Sequence, residues 1–303
     1  MAAVACVAIT PVAAHPRIST LRESQSGTVS GLPTSITTLG ANYLSTKASA
    51  LVPGQTAALT TSVQAAIDAS GGSAGVTLIE LGRTAPVIWS LNGSAVFTAA
   101  STYKLAALMM EAQSVAAGKT DPNGYVCYQD DDYESGWFDD YADGVCFTRN
   151  ELALRAGIYS DNTAGHMLVR DLGGADALNA WAAANGATQS VFFSNNTSTS
   201  DDLAALWVAE TSGRLGGAAA QSWLYPLLIH TRTESGIPAG VGAGTTVVHK
   251  TGTVDDIADD SALVENGPHG AYVVTVMTSG LGDAGWQLIS SISSDVWTFE
   301  ESR

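Results

Sequence analysis

A serine and a lysine stand three residues apart at the start of an apolar segment. Ser101 and Lys104 lead into the run Leu105-Ala-Ala-Leu-Met-Met110, which is typical of a buried helix. Side chains at this spacing share one helix face, so we expect the hydroxyl and the amine to lie one turn apart. A serine hydroxyl is a weak nucleophile unless a base takes its proton, and a lysine with a lowered pKa can be that base. The segment therefore predicts a nucleophilic serine.

Lysine is scarce in this chain, and charge is unevenly balanced. The 303 residues include only four lysines, and 29 acidic residues face 13 basic ones, for a formal charge of -16. Such a surface repels nucleic acids and anionic lipids, so we expect neither as a partner. Two of the lysines, Lys104 and Lys250, lie in apolar surroundings where a routine surface charge is not expected. Both are therefore candidates for a functional site.

Two more segments place polar residues where packing alone does not favour them. Ser160-Asp161-Asn162 interrupts apolar helical stretches, although short polar side chains compete with helix hydrogen bonds. Further on, Val247-Val-His-Lys250-Thr-Gly252-Thr-Val254 predicts a strand with a lysine at its centre. A cation beside a glycine on such a strand favours recognition of an anion.

In this order, the three segments resemble the S-x-x-K, S-D-N and K-T-G motifs of class A β-lactamases and penicillin-binding proteins. The resemblance covers roughly residues 54–303, with a helix and two strands before the serine and a strand and a helix after K-T-G. It implies an α+β fold, in which an antiparallel sheet flanked by helices lies beside an all-helical subdomain. The site is expected in the cleft between them.

The resemblance also implies catalytic roles. Ser101 is expected to attack a carbonyl group, and Lys104 to hold or take its proton. Ser160 is expected to relay a proton to the leaving nitrogen. The backbone N–H groups of Ser101 and Thr253 are expected to form the oxyanion hole.

The remaining motif residues are expected to bind substrate or support the site. Asn162 is expected to hydrogen-bond the substrate amide and Lys104, and Lys250 with Thr251 to hold a substrate carboxylate. Gly252 lets the strand edge approach closely, whereas Asp161 braces the turn.

One departure from class A β-lactamases concerns the glutamate that activates the deacylating water. Residues 152–209 contain no glutamate, and the only carboxylates in the short polar segment 189–202 are Asp201 and Asp202. These two fit a helix N-terminus better than a general base, with Asp202 at the capping-box position after Thr199. We therefore expect intact acylation and impaired deacylation.

Four functions are compatible with this pattern. The first is a serine hydrolase that forms an acyl-enzyme with amide, β-lactam or ester substrates and releases β-lactams slowly. The second is a penicillin-binding-protein-like DD-peptidase that cleaves D-Ala-D-Ala peptides. The third is an efficient class A β-lactamase with a non-standard base. The fourth is a non-catalytic binding protein on the same scaffold.

The N-terminal residues predict export. Residues 1–15 resemble a signal-peptide remnant, residues 16–53 are interpreted as a linker, and residues 54–303 form the hydrolase domain. We expect a secreted or extracytoplasmic protein without a stable membrane span, in which Cys127 and Cys146 are bridged.

Other polar residues have simpler interpretations. The aromatic and acidic segment 125–143 is interpreted as a solvated rim, and His166 and His249 as hydrogen-bonded structural histidines. The five histidines show no metal-ligand spacing, so no metal and no cofactor are expected. We expect a monomer that acts on a small-molecule or peptide substrate carrying a carboxylate.

Overall fold

A computed structural model describes residue 54 and residues 56–83 and 86–303. The predicted signal segment and linker, residues 1–15 and 16–53, lie outside the described residues. The α-helices of the described chain are α1 Ala57–Ser70, α2 Tyr103–Ala116, α3 Arg149–Ile158, α4 Asn162–Asp171, α5 Gly174–Ala184, α6 Ser200–Thr211, α7 Gly217–Leu224 and α8 Ala284–Glu301. Its strands are β1 Ser73–Glu80, β2 Ile88–Leu91, β3 Phe97–Thr98, β4 Tyr125–Cys127, β5 Cys146–Thr148, β6 Thr197–Ser198, β7 Val247–Val254, β8 Ile257–Gly267 and β9 Gly270–Ser279.

Five of these strands form one antiparallel sheet. Their order is β2-β1-β9-β8-β7, so that the first and last of the described strands, β1 and β9, pair within the sheet. The strand that carries Lys250 is β7, which among the described residues lies at the edge of the sheet and pairs only with β8. One long side of β7 is therefore left open to face the helices.

Apolar side chains cover both faces of the sheet. Along β9, Val274 and Val276 pack with helices α1 and α8, whereas Val273 and Met277 pack with the other helices. This alternation follows from the strand period of two residues. The α+β fold predicted from the motifs is confirmed.

Helix α2 lies at the centre of the helical part. Leu105, Leu108 and Met109 on this helix are fully buried and belong to the larger core cluster. A short 3-10 helix, Ala100–Thr102, precedes α2 and contacts β7. Ser101 therefore lies where the helical part meets the edge of the sheet.

A separate two-stranded ribbon, β4 and β5, carries the two cysteines predicted to be bridged. Cys127 and Cys146 face each other in its register, and a disulfide joins them. Within the described part of the chain, no helix is both long and apolar enough to cross a membrane.

Candidate active site

Ser101 and Lys104 lie in direct contact at the start of α2. The Lys104 ammonium nitrogen Nζ lies 2.9 Å from Ser101 Oγ, 2.7 Å from the Ser160 carbonyl oxygen and 2.7 Å from Asn162 Oδ1. The Lys104 side chain is fully buried. The spacing that placed both residues on one helix face thus also brings the amine to the S-D-N turn.

The surroundings of Lys104 favour its neutral form. Burial lowers its pKa to about 7, although the charges of Asp161 and Glu134 oppose this shift. A neutral amine has two N–H donors and one lone pair. The Ser160 and Asn162 oxygens are carbonyl groups and can only accept, so the two donors point to them. The lone pair is then left for the Ser101 hydroxyl, which is the arrangement that a general base requires.

Ser160 connects the two buried lysines through its backbone and its side chain. Its carbonyl oxygen accepts from Lys104, and its Oγ lies 2.9 Å from Lys250 Nζ. The residue has a φ of 57°, in the left-handed region that non-glycine residues seldom occupy. Strain of this kind persists only where the surrounding contacts hold it, and it often accompanies a functional turn.

Those contacts come largely from Asp161, which is fully buried. Its carboxylate caps α4 by accepting from the Ala164 backbone at 2.9 Å. It also accepts from the Trp137 backbone at 2.8 Å and from the Tyr141 hydroxyl at 2.6 Å. Asp161 therefore ties the S-D-N turn to the loop before β5.

Lys250 lies at the centre of β7 and is buried. Besides the contact with Ser160, its Nζ donates to the Thr251 carbonyl at 2.8 Å. Burial lowers the pKa of Lys250 well below its usual value, and the nearby charge of Lys104 lowers it further. Lys104 thus makes it harder for Lys250 to hold a proton.

His249 lies next to Lys250 in sequence and is fully buried. Its Nδ1 lies 2.9 Å from Asp260 Oδ1 and its Nε2 lies 3.2 Å from Glu234 Oε1. Burial alone would lower the pKa of His249, but Asp260 and Glu234 outweigh it and raise the pKa to about 9. The ring is hydrogen-bonded on both sides and holds β7 to its surroundings.

Gly252 allows β7 to approach the serine turn. A Cβ at this position would lie 2.9 Å from the Ala99 carbonyl oxygen and 3.0 Å from the Ser101 backbone nitrogen. Any side chain here would therefore separate the strand from Ser101. The next residue, Thr253, is exposed, and its hydroxyl donates to the Ile257 carbonyl at 3.1 Å.

Glu134 and His166 extend the hydrogen-bond network beyond Asn162. Motif spacing did not single out either of them as a site residue. Asn162 Nδ2 donates to Glu134 Oε1 at 3.0 Å and to the Ser135 carbonyl at 3.0 Å. Glu134 Oε2 lies 3.0 Å from His166 Nε2. Glu134 belongs to the segment interpreted as a solvated rim, and its sequence position alone does not place it near Asn162. The position of His166, four residues after Asn162 on α4, is the one signal that links it to the site.

The solvated-rim interpretation of segment 125–143 is wrong in part. Asp132 is buried, and its carboxylate binds the guanidinium of Arg170, with Nε at 2.7 Å. Asp140 binds Arg155 through two hydrogen bonds of 2.6 and 2.8 Å. The segment is attached to the helices by ion pairs, which composition alone does not distinguish from solvated charge.

The polar segment before α6 forms a helix N-terminus, as predicted. Thr199 caps α6, accepting from the Asp202 backbone at 3.1 Å. The Asp202 carboxylate accepts from the Gln189 backbone at 2.7 Å and from Ser190 Oγ at 2.9 Å. Asp201 Oδ1 accepts from the Thr77 hydroxyl at 2.7 Å. Both carboxylates therefore have partners that fix the segment.

Asn196, in the same segment, is a further site residue that the sequence did not indicate. Its side-chain Nδ2 donates to the Ala100 carbonyl at 3.0 Å, and its backbone carbonyl accepts from the Ala99 backbone N–H at 2.7 Å. The φ of Asn196 is 45°, a conformation that asparagine tolerates better than most residues. Asn196 thereby holds the backbone that immediately precedes Ser101.

The structure brings five of the predicted site residues into one hydrogen-bonded chain. Ser101, Lys104, Ser160, Asn162 and Lys250 are linked by contacts of 2.7 to 2.9 Å. The arrangement combines a nucleophile, a buried amine base, a second hydroxyl and a second buried amine, which are groups that acyl transfer can use.

Comparisons with known proteins agree with this geometry. The model of the beta-lactamase enzyme family matches residues 58–299. A mutant of PBP-A, solved as an acyl-enzyme complex with penicillin G, is 26% identical, with a TM-score of 0.75, 82% of this chain covered and 97% of that one. A β-lactamase from Sphaerobacter thermophilus is 27% identical, with a TM-score of 0.72 and coverage of 82% and 98%. A variant of the last common ancestor of Gram-negative bacteria class A β-lactamases is 25% identical, with a TM-score of 0.69 and coverage of 80% and 98%.

A search of curated proteins found no match. The family model nevertheless spans most of the chain, and the matched structures share its fold over nearly their whole length. The chain therefore belongs to the beta-lactamase enzyme family and is a serine hydrolase.

Proposed function

We propose that this hydrolase forms an acyl-enzyme on Ser101, with Lys104 as the base. The observation that carries the proposal is the contact of 2.9 Å between Lys104 Nζ and Ser101 Oγ, at a lysine whose pKa burial lowers to about 7. Lys104 takes the hydroxyl proton while Ser101 Oγ bonds to the substrate carbonyl carbon. The carbon–nitrogen bond then breaks, and the Ser160 hydroxyl gives its proton to the leaving nitrogen. The proton that Lys104 took from Ser101 replaces it, so the net transfer is from Ser101 to the leaving nitrogen.

The leaving-group side of the substrate is proposed to carry a carboxylate. Lys250 and Thr251 lie at the edge of the sheet beside Ser160, where they can bind an anion. Penicillins carry a carboxylate on that side of the scissile amide, and the matched PBP-A structure is a penicillin G acyl-enzyme. Amides, esters and β-lactams that share this carboxylate are the proposed substrate class.

Deacylation of β-lactam adducts is proposed to be slow. Residues 152–209 contain no glutamate, and the carboxylates of Asp201 and Asp202 accept hydrogen bonds from Thr77, Gln189 and Ser190. A carboxylate bound in this way is poorly suited to activate water, because the proton it would take competes with those bonds.

A fluorescent penicillin tests the acylation and the deacylation together. We expect covalent labelling that persists for hours and that Ser101→Ala abolishes. Labelling that disappears within seconds would contradict slow deacylation but leave the nucleophile assignment in place. Two results would contradict the acyl-enzyme itself. One is labelling of the Ser101→Ala variant, and the other is no labelling of the parent protein at a high concentration of the fluorescent penicillin.

A second candidate is a DD-peptidase like the penicillin-binding proteins. It is favoured by the likeness to PBP-A, at 26% identity and a TM-score of 0.75. Release of D-alanine from a peptide ending in D-Ala-D-Ala would support it. If no D-alanine is released under conditions in which penicillin still labels Ser101, the enzyme acts on other acyl donors.

We further propose that the enzyme works outside the cytoplasm. The disulfide between Cys127 and Cys146 supports this, because such bonds persist mainly in oxidising compartments. Fractionation of the source cells is the test. Recovery with cytoplasmic markers, with both thiols reduced, would contradict the proposal.

A further inference from the structure

Asn162 has both of its amide N–H donors occupied within the protein. One donates to the Ser135 carbonyl at 3.0 Å and the other to Glu134 Oε1 at 3.0 Å. An asparagine amide nitrogen has only two hydrogens, so no donor is left for a substrate carbonyl oxygen. A substrate must either displace Glu134 or offer it a hydrogen-bond donor.

The Glu134 carboxylate is accessible to such a donor. Its side chain is 52% exposed, and within the described part of the chain Oε1 accepts from Asn162 and Oε2 lies 3.0 Å from His166 Nε2. An ionised carboxylate can accept about four hydrogen bonds, so acceptor positions remain open toward solvent. A substrate carbonyl oxygen beside Glu134 would be repelled by the carboxylate oxygen, whereas a substrate N–H or ammonium group would be attracted to it.

We propose that Glu134 forms a subsite for a protonated amine on the acyl part of the substrate. This inference rests on the proposed function, because it concerns the acyl donor that reacts with Ser101. It assigns to Glu134 a role in specificity. The charge of Glu134 also raises the pKa of Lys104, but that effect is common to all acyl donors and cancels in a ratio of two substrates. The favoured substrate is then zwitterionic, with a carboxylate at Lys250 and an ammonium group at Glu134.

The order of contacts along the site supports this assignment. The hydrogen-bonded chain runs through Glu134, Asn162, Lys104, Ser160 and Lys250, so the Glu134 carboxylate and the Lys250 amine lie at its two ends. Substrate atoms that react at Ser101 lie between these ends. The formal charge of -16 on the whole chain also favours the approach of a cationic group.

Ampicillin and penicillin G provide a direct test, because they differ by one amino group on the acyl side chain. The measurement is the ratio of their second-order rate constants for acylation of the intact protein at about pH 7, where much of an α-amino group is protonated. Intrinsic differences in β-lactam reactivity cancel when a variant is compared with the parent. We expect Glu134→Gln to lower the ampicillin to penicillin G ratio about fivefold, which is the upper range for an exposed ion pair. Glu134→Lys should lower it further.

The matched control is Asp139→Asn, which removes the same charge from an exposed residue of the same loop. It should leave the ratio unchanged, and high salt should reduce the preference of the parent but not of Glu134→Gln. An unchanged ratio in both Glu134 variants, or an equal decrease in Asp139→Asn, would overturn the subsite alone. No labelling by either penicillin would overturn the proposed function and the subsite with it.

Discussion

At the residue scale, the site depends on the protonation of one buried amine. Lys104 contacts Ser101, Ser160 and Asn162, and burial is the largest cause of its lowered pKa. The spacing of Ser101 and Lys104 was sufficient to predict their contact, since it depends only on helix geometry. The carboxylate of Glu134 could not be predicted, because a loop of unknown path brings it to Asn162.

The pH dependence of acylation follows from the Lys104 pKa of about 7. Below this value Lys104 is protonated and cannot take the Ser101 proton, so the rate should fall about tenfold per pH unit; above it the rate should level off. The acylation rate by penicillin G, measured from pH 5 to pH 9, gives this profile. A rate that is flat from pH 5 to pH 9 would contradict a lysine base.

At the element scale, the approach of β7 to the 3-10 helix Ala100–Thr102 sets the geometry of the cleft. The sequence indicated a strand from its β-branched residues, and the resemblance implied a close approach at Gly252. It gave no indication that Asn196 holds the Ala99–Ala100 backbone from the other side. Contacts between segments so distant in sequence leave no periodic pattern.

Gly252→Ala is expected to separate β7 from the serine turn. The new Cβ would lie within 3.0 Å of the Ala99 oxygen and the Ser101 nitrogen, so the backbone must move. We expect acylation to slow about a hundredfold, because a shift near 1 Å is enough to misplace reacting groups. The control is Val254→Ala, an exposed position on the same strand, which should acylate at the parent rate. Equal rates for Gly252→Ala and the parent would contradict the role of this close approach.

Arg155 on α3 holds the loop that carries Glu134 and Ser135. Its guanidinium donates to both Asp140 oxygens and to Glu151 Oε1, and it lies 4.2 Å from the ring centre of Phe138 and 4.4 Å from that of Phe147. A lysine cannot reproduce these paired bonds and stacking contacts. The sequence did not indicate this role, since neither the loop path nor the stacking follows from composition.

Arg155→Lys is therefore expected to destabilise the fold by about 1 to 2 kcal/mol, because it loses hydrogen bonds and stacking contacts but keeps the charge. Urea unfolding measures the loss, with Arg214→Lys, an exposed arginine, as the matched control. Equal free energies of unfolding for the parent and Arg155→Lys would show that the loop is held by other contacts.

At the scale of the whole molecule, buried acids couple stability to pH. Burial raises the pKa of Glu111, Glu210 and Glu300 to about 7 each, from 4.5. At these three groups the folded state therefore holds more protons than the unfolded state between pH 4.5 and pH 7, so their contribution to stability is greatest at acid pH and falls as pH rises to 7. The sequence predicted the α+β fold through three motifs, but not which acids the core would bury.

The urea midpoint should accordingly be higher at pH 5 than at pH 7, with each carboxyl group contributing on the order of 2 kcal/mol. Glu210→Gln should reduce this difference, because its amide does not titrate. An exposed control, Asp139→Asn, should preserve it. A midpoint that rises from pH 5 to pH 7 would contradict the burial of protonated acids.

The central claim is that Lys104 is a neutral amine beside Ser101 near neutral pH. The chain contains only four lysines, so carbon NMR of protein labelled at the lysine Cε can follow each one through a pH titration. We expect a resonance that titrates near pH 7 and that disappears in Lys104→Arg. Titration of the Lys104 resonance near the ordinary lysine value of about 10.4 would show a permanent cation at this position and would contradict the mechanism.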